Sequence, residues 1–255
     1  MIVHTSFAQH RSPLAAGALR VLAHELTAGP TVHVFRVSNL SAAEVDGSAA
    51  MLSTDEQARA ARFRFDRDRH VFVTARAALR RLLAACTDVA PTQLMFNYNA
   101  FGKPALAGAP LDFNVSHSDG AVAIALCRAG RIGVDIERVA AERAALDAAH
   151  RYFSPSEWCA LQAHAPETRH EAFFVLWTLK EAFVKANEQG LSIPLDSFSI
   201  TVSADAAAIH LQSARADDVR RWQFATRTAF STFRWSVALE IAADTQCRLH
   251  VIQYC

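Results

Sequence analysis

Two acidic residues alternate with apolar residues in the segment IGVDIERV, residues 132–139. If this segment is a β-strand, Asp135 and Glu137 point to the same face about 7 Å apart, because side chains alternate along a strand. Like charges at this distance repel one another unless a positive group joins them. Mg²⁺ is the expected cation, since it binds a few carboxylates, retains waters and completes its shell with phosphate oxygens. The alternative is an exposed strand face with two solvated acids beside Arg138.

A second candidate group lies in the segment FNVSHSDGAVAIAL, residues 113–126. Apolar runs flank a polar tip, which predicts a β-hairpin with Ser116, His117 and Ser118 at its turn. Hydroxyl and imidazole groups at a turn suit phosphate binding, whereas the side chains of a hydrolase triad converge from separate parts of a fold. The alternative is a plain hairpin with a solvated histidine. Upstream, Lys103 in the rigid turn FGKPAL is either a second phosphate contact or a solvated lysine.

A third group lies in the segment WTLKEAFVKANEQGL, residues 177–191. On a helix, Trp177, Glu181 and Lys185 are spaced four apart and form one stripe, with Lys180 on an adjacent edge. A Glu–Lys pair at this spacing is commonly a surface salt bridge worth a few tenths of a kcal/mol. Here the stripe interrupts a surface of large apolar residues, which favours a partly buried position. Those residues are Phe173, Phe174, Leu176, Leu179, Phe183 and Val184.

Two similar sets of helices must position these groups. In residues 52–86, Ser53 and Glu56 form a capping-box pattern ahead of a long helical run. In residues 153–189, Ser154 and Glu157 repeat that pattern with a proline at the first helical position. A second long helix follows, with Thr168 and Glu171 as its opening residues. Gly133, inside a predicted strand, indicates close approach by a ligand or by another backbone.

Strand-like alternation follows each helical set, and the order of elements recurs after roughly a hundred residues. We therefore predict an α+β fold, a pseudodimer of two similar halves, residues 1–128 and 129–255, each a long helix packed on a small antiparallel sheet. The seam between the halves is the expected active-site cleft. The predicted strands are LMFNY, LDFNV, AVAIALC and IGVDI in the first half, and FSITV, AIHLQ, WQFAT, TFRWSVALEI and RLHVIQY in the second.

The composition limits the class of protein. The 255 residues are 51% hydrophobic and 20% charged, with a net charge of +1. This balance argues against a general nucleic-acid binder. Five separated cysteines predict neither a zinc site nor a disulfide framework, which fits a cytoplasmic protein. No segment reads as a signal peptide or a membrane span. Residues 59–81 carry eight arginines against two aspartates, which predicts either a contact zone for an anionic ligand or acidic partner, or a solvated helix face.

Four segments together carry a family resemblance. FGKP, FNVSHS, IGVDIE and WTLKEAFVK occur in this order over about ninety residues and resemble the signature of the Sfp-type 4′-phosphopantetheinyl transferases. The W-x-x-K-E-A form is similar to the branch that modifies carrier domains of secondary-metabolite synthases. The resemblance implies a pseudodimeric fold that binds coenzyme A at its seam. The implied reaction moves the phosphopantetheine arm to a serine of an apo acyl or peptidyl carrier protein and releases 3′,5′-ADP.

The resemblance also implies roles for the candidate residues. Asp135, Glu137 and Glu181 would hold Mg²⁺ on the pyrophosphate, and Glu181 would instead or additionally take the proton of the carrier serine. These two roles compete, because a metal-bound carboxylate is a poor base. Lys185 would neutralise charge at the attacked phosphate or its leaving group, with Lys180 in support.

The remaining implied contacts are basic or polar. The coenzyme's phosphates would bind Lys103, Ser116 and His117. The 3′-phosphate, or an acidic carrier surface, would meet Arg62, Arg69 and Arg76. Arg76 is the first choice among these, since in TARAALRR it occupies the place of Lys180 in TLKEAFVK.

Carrier proteins of polyketide, non-ribosomal peptide or fatty acid synthases are the implied partners, and an internal pseudodimer predicts a monomer. Two other functions stay open. Another Mg²⁺-dependent phosphotransferase or nucleotide hydrolase would normally carry a G-x-x-x-x-G-K-[ST] loop, which this sequence lacks. A non-catalytic module that binds coenzyme A or a carrier is the second alternative.

Overall fold

The computed structural model describes residues 4–10, 12–13, 29–87, 89–128, 130–144, 146–187, 193–203, 207–211, 222–241 and 248–254. Residues 188–191 of the third candidate segment, and Cys247 and Cys255, lie outside these ranges. The helices are α1 (Ala42–Ser48), α2 (Thr54–Ala60), α3 (Asp66–Thr87), α4 (Pro155–Gln162) and α5 (Arg169–Ala186). In the part of the chain that is described, no helix combines the length and apolarity that a membrane crossing requires.

The strands include every predicted segment, together with three that were not predicted, namely β1, β2 and β4. In chain order they are β1 (His4–His10), β2 (Thr31–Arg36), β3 (Phe96–Tyr98), β4 (Pro104–Leu106), β5 (Asp112–Ser118), β6 (Ala121–Cys127), β7 (Arg131–Arg138), β8 (Phe198–Val202), β9 (Ala207–Leu211), β10 (Trp222–Ala229), β11 (Phe233–Glu240) and β12 (Arg248–Tyr254). The architecture is therefore a mixed α+β fold.

Both predicted capping boxes are formed. The Ser53 hydroxyl accepts the Glu56 N–H at 3.3 Å, and the Glu56 carboxylate accepts the Ser53 N–H at 3.0 Å. The Ser154 and Glu157 pair repeats this geometry at 3.3 and 2.8 Å. Thr168 flanks α5 but does not cap it through its side chain, because its hydroxyl turns back to the Ala165 carbonyl.

The strands form two main sheets and two separate hairpins, β3–β4 and β8–β9. The first sheet has the order β1-β12-β2-β6-β5, and the second has the order β10-β11-β7. The second sheet is antiparallel, as predicted. The first is mixed instead, because β12 pairs in parallel with both β1 and β2. Residues 129–255 therefore contribute a strand to the first sheet, and a division at residue 128 does not separate the two sheets.

The long helices pack on these sheets through apolar faces. On α3, Leu79, Leu82 and Leu83 are fully buried in one core with Phe113 of β5 and Ile124 of β6. Burying a leucine side chain fully stabilises the fold by about 1.5–3 kcal/mol. The helix α5 packs across β7 and β11, and its buried Leu179 and Phe183 share a second core with Phe198.

The two sheets meet where edge strand β5 runs alongside edge strand β7. Alternate side chains of β5 accept alternate backbone N–H groups of β7, which satisfies donors that a sheet edge would leave unpaired. The four bonds run from Ile132 N to Asp112 Oδ2 at 2.7 Å, Val134 N to Asn114 Oδ1 at 3.1 Å, Ile136 N to Ser116 Oγ at 3.3 Å and Arg138 N to Ser118 Oγ at 3.4 Å.

One buried ionic arrangement occurs in both halves. In each, the glutamate of the capping box binds a cation from the following long helix, and that cation donates to two carbonyls three residues apart. Arg80 Nε lies 2.6 Å from Glu56 Oε2, and Arg80 Nη1 donates to the carbonyls of residues 91 and 94. Lys180 Nζ lies 2.8 Å from Glu157 Oε2 and donates to the carbonyls of residues 195 and 198. Arg80, rather than the predicted Arg76, is thus the geometric counterpart of Lys180.

Candidate active site

The strand β7 holds the acidic pair at the meeting of the two sheets. Asp135 is only 3% exposed. Its Oδ1 accepts hydrogen bonds from Lys185 Nζ at 2.6 Å and from the Ser116 hydroxyl at 2.8 Å. Its Oδ2 is buried without a hydrogen-bond partner. Glu137, two residues further along, is partly buried, and its Oε2 accepts the Ser118 hydroxyl at 2.6 Å.

Gly133 allows α5 to reach this strand. A Cβ atom at this position would lie 2.5 Å from the Ala186 nitrogen and closer still to the Ala182 carbonyl oxygen. The glycine is therefore required where the helix backbone crosses the strand, which is the second of the two predicted reasons. The crossing places Lys185 Nζ within 2.6 Å of Asp135 and 3.1 Å of the Ser116 hydroxyl oxygen.

Glu181 lies one turn before Lys185 and is partly buried. Burial raises the pKa of the Glu181 carboxyl above its usual value. The Lys185 ammonium opposes this rise in pKa, while the two carboxylates of β7 add to it. The pKa of Glu137 is also raised, first by burial and then by the charge of Asp135. Negative charge is therefore disfavoured on both Glu137 and Glu181.

The acidic residues fit a hard divalent cation. The buried Asp135 Oδ2 has an unused acceptor, and carboxylate oxygens are the ligands that Mg²⁺ prefers. Within the described ranges, no group of three or more His, Cys, Asp or Glu side chains is arranged as a metal-ligand cluster. In this arrangement Lys185 neutralises Asp135. The convergence of Glu181 on the same ion as Asp135 and Glu137 therefore stays a prediction.

Ser116 and His117 occupy opposite sides of β5. Ser116 is buried, and its single hydroxyl hydrogen is directed at Asp135, so its observed partner is a carboxylate. His117 is exposed. Partial removal from water and the nearby Lys185 lower its pKa, so the imidazole is neutral at pH 7. The charge of Asp68 opposes this lowering of the pKa, and the charge of Arg59 adds to it.

The structure places the other predicted phosphate contacts around the first half. Lys103 Nζ forms a 2.9 Å ion pair with Asp112, at the far end of β5 from Ser116. Arg76 Nε binds Glu56 at 2.9 Å and Arg76 Nη2 donates to the Tyr98 hydroxyl at 3.1 Å.

Two further arginines of the basic zone lie at the surface. Arg69 pairs with Asp66 at 2.8 Å, and both side chains are exposed. Arg62 is exposed at the end of α2, beside an open cleft that Arg59 and Phe63 also line.

Lys180 is the one predicted catalytic side chain that faces away from the acidic pair. It is fully buried, and its ammonium contacts three groups of the second half: the Glu157 carboxylate, the Leu195 carbonyl and the Phe198 carbonyl. Burial lowers the pKa of Lys180, and Glu157 opposes that change. The Lys180 side chain thus projects from a different side of α5 than Lys185, and its support of Lys185 stays a prediction.

Two contacts of Glu137 were not predicted. Ser118 bonds Glu137, and Arg143 Nη2 lies 3.8 Å from Glu137 and 3.5 Å from the Ser118 hydroxyl oxygen. Polar residues alternate along β5 and end in Ser116 and Ser118. This alternation was the feature of the sequence that indicated a polar strand face in contact with another polar surface. The sequence around Arg143 carried no comparable signal.

Two family models of known proteins match this chain, one in each half. Residues 131–239 match a family model described as the 4′-phosphopantetheinyl transferase superfamily, and residues 39–128 match one described as the N-terminal part of a 4′-phosphopantetheinyl transferase. A 4′-phosphopantetheinyl transferase of Bacillus subtilis is 35% identical over 167 residues, covering 65% of this chain and 73% of that protein. A putative 4′-phosphopantetheinyl transferase of Synechocystis is 40% identical over 151 residues, covering 58% and 61%.

Solved structures match a smaller part of the chain. The holo-[acyl-carrier-protein] synthase of Thermotoga maritima is 20% identical with a TM-score of 0.37, covering 44% of this chain and 64% of that one. The ACPS–CoA complex of Chronobacterium ammoniagenes is 18% identical with a TM-score of 0.34, covering 45% and 98%.

Proposed function

The chain belongs to the 4′-phosphopantetheinyl transferase superfamily, and from this membership we propose that it transfers the 4′-phosphopantetheine arm of coenzyme A to a serine of an apo carrier protein. The other product is 3′,5′-ADP. One observation carries the assignment to a site in this chain. Lys185 of α5 and Ser116 of β5 converge on Asp135 of β7, which joins the helix of one half to the edge strand of the other.

The active site lies at the seam of a pseudodimer. Support comes from the repeated buried ionic arrangement, in which Glu56 with Arg80 and Glu157 with Lys180 occupy equivalent positions. Residues 1–128 would supply phosphate contacts, while residues 129–255 would supply the acids and the catalytic helix. An internal pseudodimer of this kind needs no second chain, so the protein is proposed to act as a monomer.

Asp135 and Glu137 would hold Mg²⁺ on the pyrophosphate, with Glu181 as a further candidate ligand. When bound, the ion would supply charge neutralisation at the phosphate oxygens. Glu181 is better suited to the second proposed role, since its raised pKa makes it a stronger base than an ordinary carboxylate. In that role it takes the carrier serine proton as the serine oxygen attacks the phosphopantetheinyl phosphorus.

The bond from that phosphorus to the 3′,5′-ADP oxygen breaks in the same displacement. The Lys185 ammonium would then leave Asp135 and contact the phosphate oxygens on which negative charge develops. The ammonium would move only a small distance, because it already contacts Asp135 on the strand that holds both acids.

The coenzyme's phosphates are proposed to meet the seam-facing side of the first half. A neutral His117 can donate one hydrogen bond to a phosphate oxygen, and Lys103 and Ser116 are further candidates. Of the arginines, the exposed Arg62 and Arg69 suit the 3′-phosphate or an acidic carrier surface better than Arg76, whose side chain is only 12% exposed. Lys180 would contribute through the position of α5 alone.

The test is a mass measurement on the partner. Apo acyl and peptidyl carriers, including those of polyketide, non-ribosomal peptide and fatty acid synthases, are incubated with the protein, coenzyme A and Mg²⁺. The proposed function expects a carrier to gain the mass of phosphopantetheine, and the Asp135→Asn variant to lose this activity. A matched control is Asp147→Asn, at an exposed position in the short 3₁₀ helix Leu146–Arg151. No mass gain in any carrier would support the non-catalytic module, and nucleotide release without a carrier would support a hydrolase.

A further inference from the structure

We propose that Ser118 is a positioning residue whose hydroxyl orients the Glu137 carboxylate for cation binding. The inference rests on the proposed function, because it concerns the acidic pair of that site. Ser118 is 7% exposed, and its hydroxyl donates to Glu137 Oε2 at 2.6 Å. A hydroxyl-to-carboxylate bond of this length belongs to the strong, charge-assisted class.

The surroundings leave the Ser118 hydroxyl one direction in which to donate. Its oxygen accepts the backbone N–H of Arg138 at 3.4 Å and the guanidinium of Arg143 at 3.5 Å. A hydroxyl has one hydrogen and two acceptor positions, so two incoming donors leave the hydrogen for Glu137. The orientation of the Ser118 hydroxyl, and with it one oxygen of the Glu137 carboxylate, is thus fixed by β7 and by Arg143, which follows that strand.

The same arrangement occurs two residues earlier on both strands. The Ser116 hydroxyl donates to Asp135 Oδ1 at 2.8 Å while its oxygen accepts the Ile136 N–H at 3.3 Å. In each pair the serine precedes its acid by 19 residues. The edge strand of the first sheet therefore orients both acids of the second sheet with one repeated contact, and the two serines have equivalent tasks.

This contact matters because neighbours of metal ligands fix the direction of the ligand oxygens. Partners of this kind typically change metal affinity by about 10–100-fold when removed. Among the described residues, a Glu137 without the Ser118 bond keeps the longer 3.8 Å approach of Arg143, which holds the carboxylate less closely.

The experiment compares Ser118→Ala with Ser118→Thr, which keeps a hydroxyl on a side chain compatible with a strand. Mn²⁺ binding is measured by the loss of the free-ion electron paramagnetic resonance signal, with neither coenzyme A nor carrier present. Ser118→Ala is expected to weaken Mn²⁺ binding by about 10-fold, and Ser118→Thr to restore most of it. Ser199→Ala, in β8, is the control, because that hydroxyl bonds two other serines instead of an acid.

A second readout is the Mg²⁺ concentration that half-saturates transfer, which is expected to rise in Ser118→Ala while the rate at saturating Mg²⁺ stays near wild type. Thermal melting shows whether each variant is folded. Wild-type Mn²⁺ affinity in folded Ser118→Ala, or equally weak binding in folded Ser118→Thr, would overturn the inference. If instead the wild-type protein binds Mn²⁺ with the expected Ser118 dependence but modifies no carrier, the proposed function fails and the positioning role stands.

Discussion

Asp135 has two carboxylate oxygens in different surroundings. Oδ1 accepts two hydrogen bonds, whereas Oδ2 is buried without any. Buried polar atoms in folded proteins normally have partners, so an unused acceptor beside Lys185 marks a place where folding leaves an electrostatic cost. Glu181 adds to that cost, because its burial and the two carboxylates of β7 disfavour its charge, and Lys185 offsets only part of this.

Replacing Glu181 by glutamine should have opposite effects on turnover and on stability. Loss of a general base lowers the transfer rate by about 10²–10⁴-fold. Since the folded-state pKa of Glu181 is raised, ionisation costs stability that is regained as the pH falls through that pKa. The variant removes this cost and should have a higher melting temperature at pH 8.

The stability difference between Glu181→Gln and the wild type should shrink at acidic pH, where the wild-type carboxyl is protonated in both states. Glu167→Gln, at an exposed position before α5, is the control and should change neither property. Thermal melts across a pH series, with transfer rates at each pH, provide the check. A lower melting temperature at pH 8 for Glu181→Gln would contradict the charge argument.

At the scale of elements, the contact of α5 with β7 depends on the absence of one side chain. Gly133→Ala would push the helix away from the strand, since backbone atoms of Ala182 and Ala186 occupy the space of the new Cβ. We expect both a lower melting temperature and a large loss of transfer, because Glu181 and Lys185 move with the helix. Gly47→Ala in α1, where a Cβ meets nothing within 4 Å, is the matched control and should be neutral or slightly stabilising.

The buried Lys180 should contribute to function by stabilising the folded protein. Removing one partner of a buried ion pair costs about 3–5 kcal/mol, so Lys180→Met should lower the free energy of unfolding by that amount. Lys180→Arg should be tolerated better, because Arg80 performs the same task in the first half. The double variant Lys180→Met with Glu157→Gln should be more stable than the sum of the two single changes predicts. Urea unfolding tests this, and strict additivity would argue against the pair.

The sequence predicted the elements well where local rules apply. Capping boxes and period-two alternation depend on neighbouring residues, so Ser53, Ser154 and nine of the twelve described strands could be assigned. The orientation of Lys180 could not be predicted, because α5 is apolar on nearly every side and its spacing does not say which side meets β7. Arg76 was taken as the counterpart of Lys180, a position that Arg80 occupies. The match of TARAALRR to TLKEAFVK gives a position along a helix and does not identify the partner of a side chain.

At the scale of the whole molecule, the seam was predictable as a meeting of two halves, but the path of the chain was not. Alternation in RLHVIQY identifies β12 as a strand without identifying its neighbours. Its pairing between β1 and β2 depends on contacts more than two hundred residues apart in the chain. The polar ladder between β5 and β7 likewise depends on two edges whose proximity only the assembled fold determines.

A chain shortened to end at residue 241 should therefore lose the first sheet, although the acidic pair and α5 are retained. Without β12, β1 has no partner and β2 keeps only β6, so the core that includes Ile252 and Tyr254 opens. We expect a loss of cooperative thermal unfolding by circular dichroism. A chain ending at residue 254 is the control and should melt like the full sequence. An unchanged melting temperature after the larger truncation would show that β12 is dispensable.

The position of β12 between β1 and β2 also means that the first sheet can be completed only late in translation. Residues 29–128 emerge early, yet the strand that separates β1 from β2 is translated after the whole catalytic segment. At typical synthesis rates the incomplete sheet waits on the order of ten seconds. During that interval the β2 edge that β12 later covers is unpaired, and an unpaired strand edge is a site where nascent chains associate wrongly.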